Sequence, residues 1–204
     1  HGANHRASWN RRLSPSNESH LVRTQFLMDS ALRERSVRAL RGYRVGYRAL
    51  ARSTDTRTMI AGLRPDWPAG NSVGILETTP KRIDLALALT GTLNSLVFDC
   101  QLRRRVAGAN INYFLLSEAH VLPKSTATRV ARHVASIALP HPAMSREWLG
   151  LRDLIPQLGN VPWKKLWALS HHEIVRRRAM VDASVFCMFG LSAEDVQAVL
   201  VECD

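Results

Sequence analysis

Cysteine and long hydrophobic runs are both scarce in this sequence of 204 residues. The three cysteines, Cys100, Cys187 and Cys203, lie far apart and form no metal-spaced pair. Such an odd, scattered set is typical of the reducing cytoplasm, where we expect the protein to reside. No apolar run approaches the roughly 18 residues that a membrane helix needs, so we expect no membrane partner. No signal-peptide pattern is present either, and the start at His1 without Met indicates a fragment or a processed chain.

The sequence also lacks the motifs of a catalytic site. It has no glycine-rich cofactor loop after a strand, no P-loop, and no Asn/Asp-Pro-Pro-aromatic segment to hold a flipped base. Glu77 and Lys81 are interrupted by Pro80 and lie at an expected helix start, and both features argue against a nuclease pair. The adjacent His171 and His172 would point about 100° apart on a helix and could not chelate one ion from the same face. We therefore expect no bond-breaking step, no metal and no cofactor in this chain.

Acidic residues and lysine are few, whereas arginine is abundant. The chain has 24 Arg, 4 Lys and 17 acidic residues, which gives a net charge of +11. Residues 1–64 carry +9 of this charge, and the remaining 140 residues carry only +2. A GC-rich genome would explain arginine in place of lysine, but not its crowding into the first third of the chain. A concentrated positive field predicts nucleic acid or another anionic surface as the partner.

The most informative basic stretch runs from Tyr43 to Pro65, with the sequence YRVGYRALARSTDTRTMIAGLRP. Read at period 2, its first half has an apolar side and a basic side: Tyr43, Val45, Tyr47 and Ala49 against Arg44 and Arg48. This alternation predicts a half-buried strand, followed by a turn at 53–56 and a returning strand over 58–63. A helix competes, because three of the arginines are also four residues apart. Gly42 and Gly46 would each weaken that helix by roughly 1 kcal/mol relative to Ala.

Helical patterns dominate the rest of the chain. Thr79 as N-cap and Pro80 at the first position predict a helix that runs to about Arg104, with Asn94 and Ser95 as a polar pair at a helix contact. Further helices are expected over 31–40, 126–138, 148–154 and 163–189, and after Ser192, and further strands over 72–76 and 111–116. Gly190 is the expected terminator of the helix over 163–189.

These patterns predict an α+β fold, with a small mixed or antiparallel sheet, packed helices and a C-terminal helical segment. The predicted organisation is an N-terminal segment, partly disordered, at 1–39, an α/β region at 40–125, and a helical region at 126–204.

Five segments, in this order, resemble one family. They are the stretch from Tyr43 to Pro65, GNS at 70–72, LNSLVFDCQLRRRVAGANINYF at 93–114, VLP at 121–123, and RRRAMVDASVFCMFGLSAEDVQAVL at 176–200. Together they resemble the C-terminal target-recognition region of type IIG restriction–modification enzymes and related N6-adenine DNA methyltransferases. The resemblance implies binding of double-stranded DNA at a specific sequence. It also implies an upstream methyltransferase domain, absent from this chain, which would bind S-adenosylmethionine, and sometimes a nuclease domain as well.

Two kinds of side chain are candidates for DNA contacts. Arginines can bind phosphates or read guanine edges, and asparagines can pair with adenine. The predicted DNA-binding residues are Arg44, Arg48, Arg52, Arg57, Arg104, Asn110 and Asn112. Each asparagine has the alternative role of capping the backbone, and Arg57 has the alternative of pairing with Asp55 across the turn. For the whole chain, the alternatives are a structural support for the methyltransferase domain or the inactive remnant of a truncated gene.

Overall fold

A computed structural model of the protein describes residue 31 and residues 42–64 and 69–203. The predicted N-terminal segment and its helix over 31–40 lie outside the described residues, apart from residue 31. The centre of the predicted loop at 64–72 lies outside them as well.

The basic stretch from Tyr43 to Pro65 provides two strands of a three-stranded antiparallel sheet. Strand β1 (Tyr43–Arg48) lies between β2 (Ala61–Arg64) and β3 (Val73–Thr78). Val45 and Tyr47 are buried, as the period-2 pattern predicted, and both edges of β1 pair with a neighbouring strand. The hairpin prediction is therefore confirmed and the competing helix is wrong. Strand β2 begins three residues later than expected, because the backbone N–H of Met59 donates to the buried carboxylate of Asp99 instead of pairing with β1.

Helices make up most of the remaining structure, which confirms the predicted α+β fold with a helical C-terminal segment. They are α1 (Ile83–Leu93), α2 (Leu96–Arg103), α3 (Tyr113–Ser117), α4 (Ala127–Ala138), α5 (Ser145–Leu154), α6 (Trp163–Leu166), α7 (His171–Phe189) and α8 (Ala193–Cys203). Short 3-10 turns cover Lys124–Thr126, Pro142–Met144 and Pro156–Asn160. No single helix among the described residues has the length and apolar composition to cross a membrane. The pair α1 and α2 meets both requirements only when counted together, and the two helices are bent by 55°.

The predicted single helix from Pro80 to Arg104 is wrong at its start and in its middle. The pairing of Thr78 with Tyr43 extends β3 to the position where the helix was expected to begin, so α1 begins only at Ile83. The helix then breaks at Asn94 and Ser95, whose side chains satisfy the backbone groups that the break releases. Asn94 Nδ2 donates to the carbonyl of Thr90 (2.7 Å), and the Ser95 hydroxyl accepts from the N–H of Phe98 (3.3 Å).

The predicted strand over 111–116 is instead the one-turn helix α3. Ile111 and Leu115 are buried, whereas Tyr113 and Phe114 between them are exposed. In a strand, residues 111, 113 and 115 would share one face, so exposure of Tyr113 between the buried Ile111 and Leu115 is not the pattern of a half-buried strand. The apolar and aromatic residues at 111–116 do not by themselves distinguish a buried strand from this short helix.

The predicted long helix over 163–189 is divided into α6 and α7. Between them, the backbone N–H of Ala168 donates to the carbonyl of Ser136 (2.9 Å), which draws this segment against α4. Ser170 then begins α7 with a capping box, in which Ser170 Oγ accepts from Glu173 N and the Glu173 carboxylate accepts from Ser170 N. Gly190 ends α7 in the left-handed conformation (φ 68°), as predicted.

Helix α1 contributes to two neighbouring hydrophobic clusters. Ala86 and Leu93 pack in the cluster under the sheet, and Ile83 and Leu87 pack in the cluster formed by the later helices. The predicted boundary at residue 125 falls between α3 and α4. Helix α1 packs against residues on both sides of this boundary, because it belongs to both clusters.

The contact between α4 and α7 contains a buried histidine. Arg177 Nη1 lies 3.3 Å from His133 Nδ1, which makes Nδ1 the unprotonated ring nitrogen, because a guanidinium can only donate. Burial, followed by the positive charges of Arg132 and Arg177, lowers the pKa of His133 from 6.5 to about 4.

We expect this histidine to make the fold acid-sensitive. As the pH falls from 6.5 to about 4, the unfolded chain binds a proton at His133 more readily than the folded protein, so the free energy of unfolding decreases. Urea unfolding of the wild type and of His133→Gln at pH 7 and pH 4.5 would test this. The variant should lose less stability between the two pH values, and equal losses would contradict the assignment.

Candidate nucleic-acid interface

Three loops that are distant in sequence meet at the end of β1. The N–H of Ala49 donates to the carbonyl of Ser72 (2.9 Å), and the N–H of Ala51 donates to the carbonyl of Ala109 (3.1 Å). The N–H of Ile111 donates to the carbonyl of Ala49 (2.7 Å). We call residues 49–57, 69–72 and 107–114 the three-loop surface. It brings the basic hairpin next to the asparagines some 60 residues further along the chain.

The three-loop surface exposes polar, basic and apolar side chains together. Arg52, Asn71, Asn110 and Asn112 are exposed. Three large apolar side chains are exposed beside them: Leu50 at 54%, Tyr113 at 59% and Phe114 at 59%. Tyr113 and Phe114 were absent from the predicted DNA-binding set, although both lie in one of the segments that carry the family resemblance.

Tyr113 is held in place from two sides. Its hydroxyl donates to the carbonyl of Ile75 and accepts from the Ile75 N–H, both at 3.4 Å. Its ring stands edge-on to Tyr47, with 6.2 Å between ring centroids. Tyr47 is buried, and burial, followed by the nearby Tyr113, raises the pKa of its phenol. The aromatic part of the surface thus has a rigid base.

Arg48 forms hydrogen bonds within the hairpin. Its Nη2 donates to Asp55 Oδ2 (3.1 Å) and to the carbonyl of Arg57. The same carboxylate oxygen accepts from the backbone N–H of Arg52 (3.2 Å). Asp55 therefore pairs with Arg48, and not with Arg57 as the alternative from sequence had it.

Arg57 and Arg103 both approach one fully buried carboxylate, that of Asp99. Asp99 accepts from the N–H of Met59 (2.8 Å) and from Arg103 Nε (2.9 Å), and Arg57 Nε lies 3.9 Å away. The remaining guanidinium nitrogens of Arg103 donate to the carbonyls of Ser53, Asp55 and Thr56 at 3.1, 2.8 and 2.7 Å. We call Asp99 and Arg103 the loop clamp. Neither residue belongs to the predicted DNA-binding set; their i, i+4 spacing on a helix was the available signal of a pair.

Arg104 points toward the C-terminal helix. Its guanidinium forms a two-pronged contact with Glu202 on α8, with Nε 2.9 Å from Oε1. This contact raises the pKa of Arg104 and lowers that of Glu202. Cys100 donates to the same carboxylate (3.0 Å), and burial, followed by this hydrogen bond, raises the pKa of its thiol to about 12. Arg104 thus joins α2 to α8.

Arg44 and Arg52 are the predicted arginines that carry no ion pair within the described residues. Arg44 is half-buried on the sheet face opposite the core, directly across from Arg64. Burial, followed by the charge of Arg44, lowers the pKa of Arg64. Arg52 is exposed at the edge of the three-loop surface.

Asn110 and Asn112 differ in their local roles. Asn110 forms an isolated backbone bridge with Leu50, which places it at the centre of the surface. Asn112 occupies the N-cap position of α3, but its side chain makes no capping hydrogen bond. The capping alternative for Asn112 is therefore not realised in the structure.

Other candidate features lie away from this surface or lack polar chemistry. A cavity of about 610 Å³ between α5 and α6 has mainly apolar walls, including Trp148, Leu149 and Leu158. In the part of the chain that the structure describes, no group of three or more His, Cys, Asp or Glu side chains could hold a metal ion.

Comparisons with known proteins found no relative of this chain. No protein-family model matches the chain, and neither a curated protein nor a solved structure matches it.

Proposed function

We propose that this chain binds double-stranded DNA through the three-loop surface and acts as the target-recognition part of an N6-adenine DNA methyltransferase or type IIG restriction–modification enzyme. The observation that carries the proposal is the convergence of Arg52, Asn110 and Asn112 with exposed aromatic rings on one surface. Arginine, asparagine and aromatic side chains are suited to phosphates, base edges and base faces.

The proposed role of each residue depends on whether its side chain is already engaged by another group of the protein. Arg52 on the three-loop surface and Arg44 on the outer face of β1 bind phosphates or read guanine, and Asn110 and Asn112 offer amides to adenine edges. Arg48, Arg57 and Arg104 hold the loops and α8 in position through contacts within the protein. This narrows the set predicted from sequence to four residues.

The remaining parts of the proposal come from the family resemblance. A linked methyltransferase domain binds S-adenosylmethionine and performs the catalytic step, in the cytoplasm, while this chain selects the site on DNA. No residue of this chain is assigned to bond breaking or to cofactor binding. Mapping of methylated adenines in cells with and without the full-length gene would test this part.

DNA binding itself is tested by titrating a fluorescently labelled duplex at several salt concentrations. If the surface contacts phosphates, the logarithm of the affinity should fall linearly with the logarithm of the salt concentration. Arg52→Ala should weaken binding about fivefold or more, and a phosphate contact would also reduce the salt slope by about 1. Arg146→Ala removes the same charge from the exposed face of α5 and is the matched control.

Two outcomes would refute the proposal. One is an absence of binding at low salt, which would favour a structural support or an inactive remnant instead. The other is equal weakening by Arg52→Ala and Arg146→Ala, since that would reflect net charge and not the three-loop surface.

A further inference from the structure

Phe114 is presented outward on a rigid turn. Buried Ile111 and Leu115 anchor α3 on the core side, and the hydroxyl of Tyr113 is tied to the backbone of Ile75. Asn110, four residues before Phe114, forms a backbone bridge with Leu50. The backbone at Phe114 is therefore held in place by its neighbours, while its side chain is 59% exposed.

The surroundings of Phe114 distinguish it from isolated apolar residues on a protein surface. Single exposed apolar side chains are common and need no explanation. Here Leu50 and Tyr113 are also more than half exposed, and the amides of Asn110 and Asn112 belong to the same loop. Removal of an apolar ring from water is favourable, so a partner that covers this ring would gain affinity.

We infer that Phe114 is a wedge that inserts between neighbouring bases of the bound duplex, with Leu50 and Tyr113 flanking the opened step. This inference rests on the proposed DNA binding and adds how the DNA is deformed. Apolar side chains inserted at a base step unstack it and kink the duplex, and an aromatic ring gains stacking on a base face. Asn110 and Asn112 then lie where they can bond to the base edges that unstacking exposes.

The wedge predicts a preference for DNA that is already weakened at one step. Unstacking costs least at a mismatched pair, so a duplex with one central mismatch should bind about tenfold more tightly than the matched duplex. The probes are two end-labelled duplexes that differ only in that pair, and the measurement is the ratio of their dissociation constants. Phe114→Ala should bring the ratio close to one, and Phe114→Trp should preserve it.

Leu149→Ala is the matched control, because Leu149 is also 59% exposed but lies on α5. It should keep the mismatch preference. Thermal unfolding of each variant checks that the fold is retained, and removal of an exposed ring should change stability little.

The outcomes separate the wedge from DNA binding as such. A mismatch preference that Phe114→Ala abolishes and Leu149→Ala retains supports the wedge. Binding of both duplexes with equal affinity by the wild type, or a preference that survives Phe114→Ala, overturns the wedge and leaves DNA binding in place. An absence of binding to either duplex refutes the proposed function, and the wedge with it.

Discussion

Asp99→Ala should lower the free energy of unfolding by about 3–5 kcal/mol, because it leaves buried groups of the loop clamp without their partner. The Asp99 side chain is fully buried and accepts from Met59 N and Arg103 Nε. Removal of the carboxylate would leave that N–H unsatisfied and the guanidinium of Arg103, only 16% exposed, without its counter-charge. Equilibrium urea unfolding measures this loss.

Two further variants sharpen the Asp99 test. Asp99→Asn keeps an acceptor for Met59 N and should cost less than Asp99→Ala. Asp153→Ala removes an exposed carboxylate from α5 and should change the free energy of unfolding by less than about 0.5 kcal/mol. A loss below 1 kcal/mol for Asp99→Ala would show that the clamp does not hold the 53–59 segment.

Gly74→Ala should destabilise the protein by about 1–3 kcal/mol through overpacking against Tyr47. A Cβ at position 74 would lie 2.1 Å from Tyr47 Cζ and 2.4 Å from its hydroxyl oxygen, far inside van der Waals contact. The ring cannot easily yield, because it is buried, stands edge-on to Tyr113 and directs its hydroxyl to the carbonyl of Ile111 (3.5 Å). Thermal and urea unfolding would both register the loss.

A double-mutant cycle isolates this clash from other effects of the substitution. Tyr47→Ala alone should cost about 3–5 kcal/mol, the range for loss of a large buried aromatic side chain. Gly74→Ala added to Tyr47→Ala should then cost almost nothing, so the two substitutions should be strongly non-additive. Gly108→Ala is the control within the three-loop surface, because a Cβ there meets no atom within 4 Å. Additive costs at positions 47 and 74 would disprove the close approach.

Local patterns were sufficient wherever neighbouring residues in sequence decide the structure. The period-2 alternation of Tyr43–Arg48 placed β1, and the amphipathic spacing of Val130 and Val134 placed α4. Gly190 and Ser192 marked a helix end and the next start, where Ser192 and Asp195 now exchange capping hydrogen bonds. These features depend on backbone conformation and on one buried face, which a short window of sequence contains.

Other elements depended on contacts that no short window contains. The break between α1 and α2 is stabilised by Asn94, whose side chain pairs with both backbone groups of Ala61 at 2.8 and 3.1 Å. It is also stabilised by Asp182 from α7, which accepts from the N–H of Leu96 (2.8 Å) although burial raises the pKa of its carboxyl. A polar pair in an apolar helix cannot reveal partners 33 and 86 residues away.

The candidate site also has features that local sequence predicted and features that only long-range packing decided. Sequence alone located the basic stretch, the two asparagines and the α+β class, because charge, residue type and periodicity are local properties. Long-range packing brought residues 49–51 against residues 109–111 and turned Phe114 outward. It also engaged Arg48, Arg57 and Arg104 within the protein and left Arg44 and Arg52 without ion pairs among the described residues. An arginine has the same charge whether it faces a partner or a buried carboxylate, and only the folded arrangement of its neighbours distinguishes the two.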